Sequence, residues 1–220
     1  MIHLTDISFS YPNADFCLQL DELSFSTGSK TAIIGPSGFG KTTLLNLISG
    51  IYTPQNGAVA IDGKNINSLT ESERRSFRLT SIGFVFQDFN LLDYLTAMDN
   101  ILLPYRINTV LKLNNEARKQ ANAIASMLHI EKKLNKYPSK LSQGERQRVA
   151  ICRALVHNPS IILADEPTGN LDPENRDIIM HILFEYVNLK GSTLITVTHD
   201  HELLPGFDRV VDFKKILKNS

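Results

Sequence analysis

The sequence predicts an α/β fold in which a core sheet is joined by an antiparallel β-subdomain and an inserted α-helical subdomain. Three observations predict it. A glycine-rich loop at residues 35–42 lies between a β-branched apolar run and a helix-like run, as in a strand, loop and helix unit. Short segments near the start alternate apolar and polar residues, which favours antiparallel strands. A long stretch after Gln87 instead repeats its apolar residues at helical spacing.

The antiparallel strands come first in the chain. Residues 2–9, 16–25 and 59–61 carry alternating or β-branched patterns, and an Asp62–Gly63 turn follows the last of them. The core strand at 31–34 leads into the glycine loop and then a helix over 43–48 that stops at Gly50. These elements predict a sheet that packs beside the core.

The helical subdomain is expected over residues 88–158, between core segments 1–87 and 159–220 of a single domain. Its marker is a set of apolar residues at helical spacing: Ala117, Ala121, Ile124, Ala125 and Leu128. Strand-like runs at 160–164 and 192–197 then flank a helix over 173–190, which predicts a right-handed βαβ unit. The residues that this helix is expected to bury are Ile178, Ile179, Ile182, Leu183, Tyr186 and Val187.

Composition limits the classes of function. The 220 residues with 42% hydrophobic content suit one sizeable core, and 23 basic residues balance 23 acidic ones, so we expect no nucleic-acid partner. Cys17 and Cys152 fit no metal or redox spacing, and we expect both to be reduced and mostly buried in a cytosolic protein. We expect no signal peptide and no membrane span, so any work at a membrane needs a separate membrane-embedded partner.

The glycine-rich loop predicts a phosphate-binding site. It consists of Gly35, Pro36, Ser37, Gly38, Phe39, Gly40, Lys41 and Thr42, with Thr43 next in the helix. Its glycines let successive amide N–H groups point at an anion, aided by the positive end of the following helix. Lys41 would pair with the β- and γ-phosphates and Thr42 would ligate magnesium. Phe39 is bulkier than the small residue usual there; the alternative is an ordinary glycine-rich turn.

A second motif, IILADEPTGNLDP at 161–173, supplies two acids. Its apolar start reads as a buried parallel strand, and ligands bind at the carboxyl ends of such strands. Asp165 would hold magnesium through its water shell, and Glu166 would polarise the water that attacks the γ-phosphate. Alone, two acids after a strand could be solvated loop residues. Together with the glycine loop they predict nucleotide hydrolysis.

Between these motifs, LSQGE at 141–145 opens a helix with basic residues in its first turns. This segment resembles the signature motif of the ATP-binding cassette (ABC) ATPases, and the order and separation of the three motifs are similar to that family along nearly the whole chain. The resemblance implies a P-loop NTPase (RecA-like) core, ATP and Mg²⁺ as cofactors, and an ATP-sandwiched homodimer. The residues that would close on ATP held by another protomer are Ser142, Gln143, Gly144 and Glu145. Gln143 stands where glycine is usual, and Ser142 with Glu145 also satisfies a helix capping box.

Four more positions match the family. Tyr11 would stack on adenine, or is an ordinary turn residue. Gln87 would contact magnesium and water and sense a membrane partner, or is a polar strand end. His199 would hydrogen-bond the γ-phosphate and orient Glu166, although a metal site with His201 is conceivable. Asp172 precedes Pro173, so it is a helix N-cap, to which the resemblance adds a contact across the dimer.

The stretch 86–104 with 169–172, which includes Asn170, resembles a narrower branch of lipoprotein-releasing, macrolide-efflux, antimicrobial-peptide-resistance and cell-division cassettes. That branch implies an integral membrane permease partner and a cytoplasmic position at the inner face of the cell membrane. The apolar residues expected to dock the permease, or in part to belong to the core, are Phe89, Leu91, Leu92, Leu95, Ile101 and Leu102.

Three classes of function stay open at this stage. The chain is the motor subunit of a membrane complex, a cytosolic ABC ATPase in assembly or DNA maintenance, or an inactive regulatory cassette. The DNA-maintenance members carry long coiled-coil insertions, and the sequence has none. The inactive class is disfavoured because the key residues Lys41, Asp165, Glu166 and His199 are all present.

Overall fold

The structure, a computed structural model, describes residues 1–13, 16–169 and 171–218. The strands are β1 (Ile2–Ser10), β2 (Cys17–Phe25), β3 (Lys30–Ile34), β4 (Asn56–Ile61), β5 (Lys64–Asn65), β6 (Ile82–Val85), β7 (Ile161–Asp165), β8 (Thr193–Val197) and β9 (Arg209–Asp212). The helices are α1 (Lys41–Ile48), α2 (Glu71–Ser81), α3 (Ala97–Ile101), α4 (Leu103–Arg106), α5 (Asn115–Met127), α6 (Gln143–Leu155), α7 (Pro173–Lys190) and α8 (Phe213–Ile216). The predicted α/β class is confirmed.

The antiparallel sheet has the order β2-β1-β4-β5. The predicted Asp62–Gly63 turn joins β4 to β5, and both residues have positive φ, 48° and 78°, as a two-residue type I′ turn requires. The alternate apolar residues of β1 and β2 are buried on one face, where they pack against α1. The sheet therefore covers the side of the core from which the phosphate loop emerges.

The second sheet is parallel, with the order β6-β7-β8-β3-β9. Its central strands are buried on both faces: Ile162 and Ala164 face one apolar cluster, whereas Leu163 faces the other. The carboxyl ends of β3, β6, β7 and β8 lie along one edge. The segments that follow these four ends are the phosphate loop, Gln87, Glu166 and the His199 loop. One edge of the sheet therefore collects the polar residues of four separate segments.

Helices α3 to α6 lie between β6 and β7 in the chain, in the stretch expected to be helical. α6 packs against β6 at very short range. A Cβ at Gly83 would collide with the carbonyl oxygen of Ala154, so the strand approaches the helix only because this residue is glycine. The ring of Pro159 lies 2.9 Å from the same point. The position of α6 relative to the end of β6 is thus tightly fixed.

Several details differ from the sequence predictions. α2 lies within the segment assigned to the core, and it was missed because none of its residues is buried and its pattern is mostly polar. Cys17 is exposed, contrary to expectation, because it begins the edge strand β2, whereas Cys152 is buried. Ile178 is only half-buried on α7. None of the helices among the described residues combines the length and the hydropathy of a membrane span.

Candidate functional site

A cavity of about 460 Å³ opens at the carboxyl edge of the parallel sheet. Its lining residues are Tyr11, Phe16, Ser37, Gly38, Gly40, Lys41, Thr42, Thr43, Gln87, Asp165, Glu166 and Val197. The structure thus brings the glycine loop, the end of β6 and the two acids of β7 to one place. These segments are far apart in sequence, and the fold brings their polar side chains around a single cavity.

The phosphate loop has the backbone that the motif requires. Gly38 and Gly40 have φ of 83° and 94°, in the left-handed region that favours glycine. At Gly40 a Cβ would also lie 2.5 Å from the Phe16 ring, so both conformation and space select glycine. α1 starts directly after this residue with no side-chain cap, which leaves its first N–H groups to bind an anion.

Lys41 carries the positive charge of the loop. Its side chain is 7% exposed, and its ammonium donates to the carbonyl oxygens of Gly35 and Pro36 at 2.7 and 2.8 Å. An ammonium has three donors, so one remains for a phosphate oxygen. Gly35 and Pro36 therefore hold the lysine and do not line the cavity, while Phe39 is 36% exposed at the loop surface.

Asp165 and Thr42 form an oxygen pair beside the lysine. The Thr42 hydroxyl hydrogen-bonds to the carboxylate of Asp165. Asp165 is the last residue of β7 and is 7% exposed. Burial raises the pKa of Asp165, and the Thr42 hydrogen bond and the Lys41 charge oppose that rise. A buried carboxylate next to a hydroxyl is a donor set that a hard divalent cation prefers, so the residues present fit magnesium.

Glu166 is held in a strained conformation. Its φ is 47°, in the left-handed region that is uncommon for residues with a Cβ, and its N–H donates to the carbonyl of Val197 at 3.0 Å. Its carboxylate lies 2.5 Å from Nδ1 of His199. The glutamate side chain is 16% exposed and the histidine side chain is 71% exposed. The histidine can therefore hold the carboxylate and still face a ligand. Among the described residues, no three or more His, Cys, Asp or Glu side chains form a group that could hold a metal ion, so no third ligand of this kind joins His199 and His201.

Aromatic side chains form one wall of the cavity. Tyr11 packs against Phe9 and Phe16 at centroid distances of 5.1 and 5.6 Å, and its hydroxyl bonds to that of Thr43 at 2.8 Å. Tyr11 therefore lines the cavity in a position fixed by its neighbours. Phe16 and Val197 were not predicted as site residues, and Phe16 was expected inside a strand. Their signals were weak, because an aromatic before a strand and an apolar strand end are common.

The signature segment lies outside this cavity. Ser142 caps α6 in a complete capping box with Glu145, as predicted, and neither they nor Gln143 and Gly144 line the cavity. Asp172 caps α7 with Pro173 at the first helical position, also as predicted. Asn170 lies outside the described residues. One chain therefore does not bring its own signature segment to its own phosphate loop.

α6 and α7 are nevertheless connected. Arg148 donates to the side-chain oxygen of Asn175 at 2.9 Å, and the Asn175 amide donates to Asp172 at 2.8 Å. Hydrogen bonds from Asn175 lower the pKa of Asp172. This chain of contacts fixes the Asp172 segment relative to the signature helix.

A second cavity, an apolar groove of about 430 Å³, lies beside β6, α4 and α6. Its lining residues are Ser49, Ile51, Arg78, Leu79, Ile82, Phe84, Phe86, Asn90, Leu103, Pro104, Ile107, Arg153 and His157. The docking prediction from sequence is wrong for Ile101 and Leu102, because both are fully buried core residues. None of the six predicted residues lines the groove. The residues Phe89, Leu91, Leu92 and Leu95 are half-buried.

Comparison with known proteins identifies the chain. Residues 18–169 match the ABC transporter family. The chain belongs to the ABC transporter family. Among relatives of this ABC cassette, the lipoprotein-releasing system ATP-binding protein LolD of Bacteroides fragilis is 39% identical, covering 96% of this chain and 96% of its own. The ABC transporter ATP-binding protein YxdL of Bacillus subtilis is 44% identical, covering 91% of this chain and 78% of its own.

Solved structures agree. A dimeric post-hydrolysis state of the ATP-binding cassette MJ0796, bound to ADP and phosphate, has a TM-score of 0.87 at 36% identity, covering 97% of this chain and 95% of its own. A second dimeric structure of MJ0796, a bacterial ABC transporter cassette, has the same TM-score at 37% identity, covering 97% of this chain and 95% of its own. This cassette is therefore an ATPase subunit of the ABC transporter type, and the comparisons favour that function over a cytosolic role in assembly or DNA maintenance.

Proposed function

We propose that this cassette binds ATP with Mg²⁺ in the cavity described above and hydrolyses it as one of two identical subunits. The observation that carries the proposal is the meeting of Lys41, Asp165 and Glu166 around one cavity. The N–H groups of the glycine loop and Lys41 bind the phosphates, and the aromatic wall at Tyr11 stacks on the adenine. Thr42, Asp165 and Gln87 would hold magnesium, which supplies positive charge against the phosphate oxygens.

Glu166 and His199 carry the chemical step in this proposal. Glu166 accepts a proton from a water molecule as the water oxygen forms a bond to the γ-phosphorus. The bond from that phosphorus to the β–γ bridging oxygen breaks, and ADP and phosphate result. His199 contacts the Glu166 carboxylate and orients it, and its exposed side chain hydrogen-bonds the γ-phosphate.

The second subunit completes the site. The signature segment starts a helix, carries Ser142 as its cap and lies away from its own cavity. A helix start binds anions, so the signature segment of one protomer closes on the ATP of the other. The residues of this segment are Ser142, Gln143, Gly144 and Glu145. Asp172, held by Asn175, lies beside this contact. The dimeric MJ0796 structures support this arrangement.

A membrane permease is the partner we propose, so the cassette works at the cytoplasmic face of the membrane. The groove offers the docking surface, because it is mostly apolar and Ile107 at its rim is 60% exposed. A helix that lays an apolar face into such a groove would cover these residues. The lipoprotein-releasing relative supports a partner of the lipoprotein-release type.

The catalytic assignment is tested by Glu166→Gln and Lys41→Ala. We expect Glu166→Gln to bind ATP as wild type does and to lose turnover by about 100-fold or more, because a general base contributes factors of this size. We expect Lys41→Ala to lose ATP affinity, since the phosphates lose a buried counter-charge. Glu185→Gln, whose side chain is 62% exposed on α7, is the control and should turn over normally. Full turnover in Glu166→Gln would refute the assignment.

The docking assignment is tested in the native host. Ile107→Asp should prevent co-purification of a membrane permease, because a carboxylate would be buried in the groove. Leu189→Asp is the matched control, since Leu189 is 70% exposed on α7 and does not line the groove. If both variants retain the permease, the groove is not the docking surface.

A further inference from the structure

The loop after β6 contains two successive residues in an unfavourable conformation. Phe89 and Asn90 have φ of 58° and 49°, the left-handed region. Asparagine tolerates this region, but phenylalanine does so rarely because of its Cβ. The loop begins with Gln87, which lines the ATP cavity. The structure around this loop must therefore hold a conformation that its own sequence does not favour.

Arg153 of α6 supplies that restraint. One nitrogen of its guanidinium donates to the carbonyl of Phe89 at 2.6 Å, and the other terminal nitrogen donates to the carbonyl of Asn90. Two adjacent carbonyls match the planar fork of an arginine, which a lysine ammonium does not reproduce. Arg146, on the same helix, lies 6.0 Å from the centroid of the Phe89 ring. Both arginines thus connect the loop to the signature helix.

Burying the Arg153 side chain is energetically unfavourable. It is 9% exposed, and none of the ion pairs among the described residues includes it. Burial lowers the pKa of Arg153 to about 10. Within the part of the chain that the structure describes, the Arg153 guanidinium donates hydrogen bonds only to the carbonyls of Phe89 and Asn90. Burial of a cation against neutral carbonyls is unfavourable, which indicates that the hydrogen bonds of Arg153 are needed to hold the backbone of this loop.

α6 provides a fixed support for this contact. Gly83 allows the helix to approach β6 closely, and the carbonyls at its end accept hydrogen bonds from Tyr186 and Tyr105 at 3.2 and 3.1 Å. Arg153 therefore holds the loop from a helix that is itself anchored to the sheet. Arg153 and Asn90 also line the groove, so this contact lies between the groove and the ATP cavity.

We infer that Arg153 is a positioning residue for ATP hydrolysis, which acts by holding the Phe89–Asn90 backbone so that Gln87 faces the reacting phosphate. The inference rests on the proposed function. Arg153 does not contact ATP in this proposal. Its effect on hydrolysis passes through Gln87, so the effect should disappear when Gln87 is removed.

The test compares Arg153→Lys with Gln87→Ala and with the double variant, in the full-length chain. We expect Arg153→Lys to lower kcat by about tenfold or more, because small displacements of a catalytic group have effects of this size. The ATP dissociation constant should change less than twofold. In the Gln87→Ala background, Arg153→Lys should cause no further fall in kcat, since the group that it positions is gone. Arg75→Lys, on the exposed face of α2, is the matched control and should leave kcat unchanged.

A merely structural role predicts a different result, in which Arg153→Lys lowers kcat by the same factor in both backgrounds, and that result would overturn the inference. Unchanged kcat in Arg153→Lys would overturn it as well. If the buried ammonium prevents folding, Arg153→Gln replaces it, because a neutral amide needs no charge burial. Hydrogen exchange should then accelerate in residues 86–92. Absence of ATPase activity in the wild-type chain would instead refute the proposed function, so the two failures are distinguishable.

Discussion

His157 makes the stability of this cassette depend on pH. The side chain lies in the groove, where its Nε2 is 3.2 Å from the carbonyl of Ile82, and its Nδ1 is buried without a hydrogen-bond partner. Burial lowers the pKa of His157 from 6.5 to about 4. The folded protein therefore binds a proton at this site less readily than the unfolded chain does.

Well above pH 6.5 the histidine is neutral in both states, and pH has no effect on stability through it. Between pH 6.5 and about 4 the unfolded chain binds the proton first, so the free energy of unfolding falls as pH falls. Between pH 7.5 and 5.0 the loss is about 2 kcal/mol, and it approaches about 3 kcal/mol below pH 4.

The assay is urea unfolding at pH 7.5 and 5.0 for wild type and His157→Gln. The glutamine is neutral at both pH values and can still donate to the Ile82 carbonyl. We expect the drop in unfolding free energy between the two pH values to be about 2 kcal/mol smaller in His157→Gln. His181→Gln is the control, because His181 is 71% exposed, and it should behave as wild type does. Equal drops in wild type and His157→Gln would refute the argument.

Two further predictions concern packing and thiol reactivity. Gly83→Ala should destabilise the protein by about 1–3 kcal/mol in urea unfolding, because its Cβ would overlap the Ala154 carbonyl; an unchanged midpoint would show that α6 moves away freely. Cys17 is exposed and should react with a thiol reagent within the mixing time. Cys152 should react only on unfolding, because burial raises the pKa of its thiol far above the ordinary range. Equal reaction rates of the two cysteines in native protein would contradict the structure.

The sequence predicted the site better than it predicted the surfaces. The glycine loop and the Asp165–Glu166 pair were readable because their chemistry restricts the residue types and their order. That Gln87 and Glu166 would meet the loop follows from parallel strands sharing an edge. The proposed docking surface was not predictable in the same way. Ile101 and Leu102 are apolar like the residues of the groove, and only tertiary packing decides which apolar residues stay exposed.

The contact between Arg153 and the loop could not be read from the sequence either. An arginine in a helix is usually solvated, and nothing local shows that this one is buried against two carbonyls. The left-handed Phe89 is equally hidden, because phenylalanine gives no sequence signal for positive φ. Local patterns predict the elements, and long-range packing decides these restraints.

The light-scattering mass of Glu166→Gln with ATP and Mg²⁺ shows whether a second copy of the chain completes the ATP site. We expect a mass of about twice the 24.6 kDa of one chain with ATP, and a single-chain mass when Gly144→Asp is added. The added carboxylate finds space, since a Cβ at Gly144 meets no atom closer than 3.7 Å, but its charge would repel the partner's phosphates. A monomeric Glu166→Gln that binds ATP would show that no second copy completes the site.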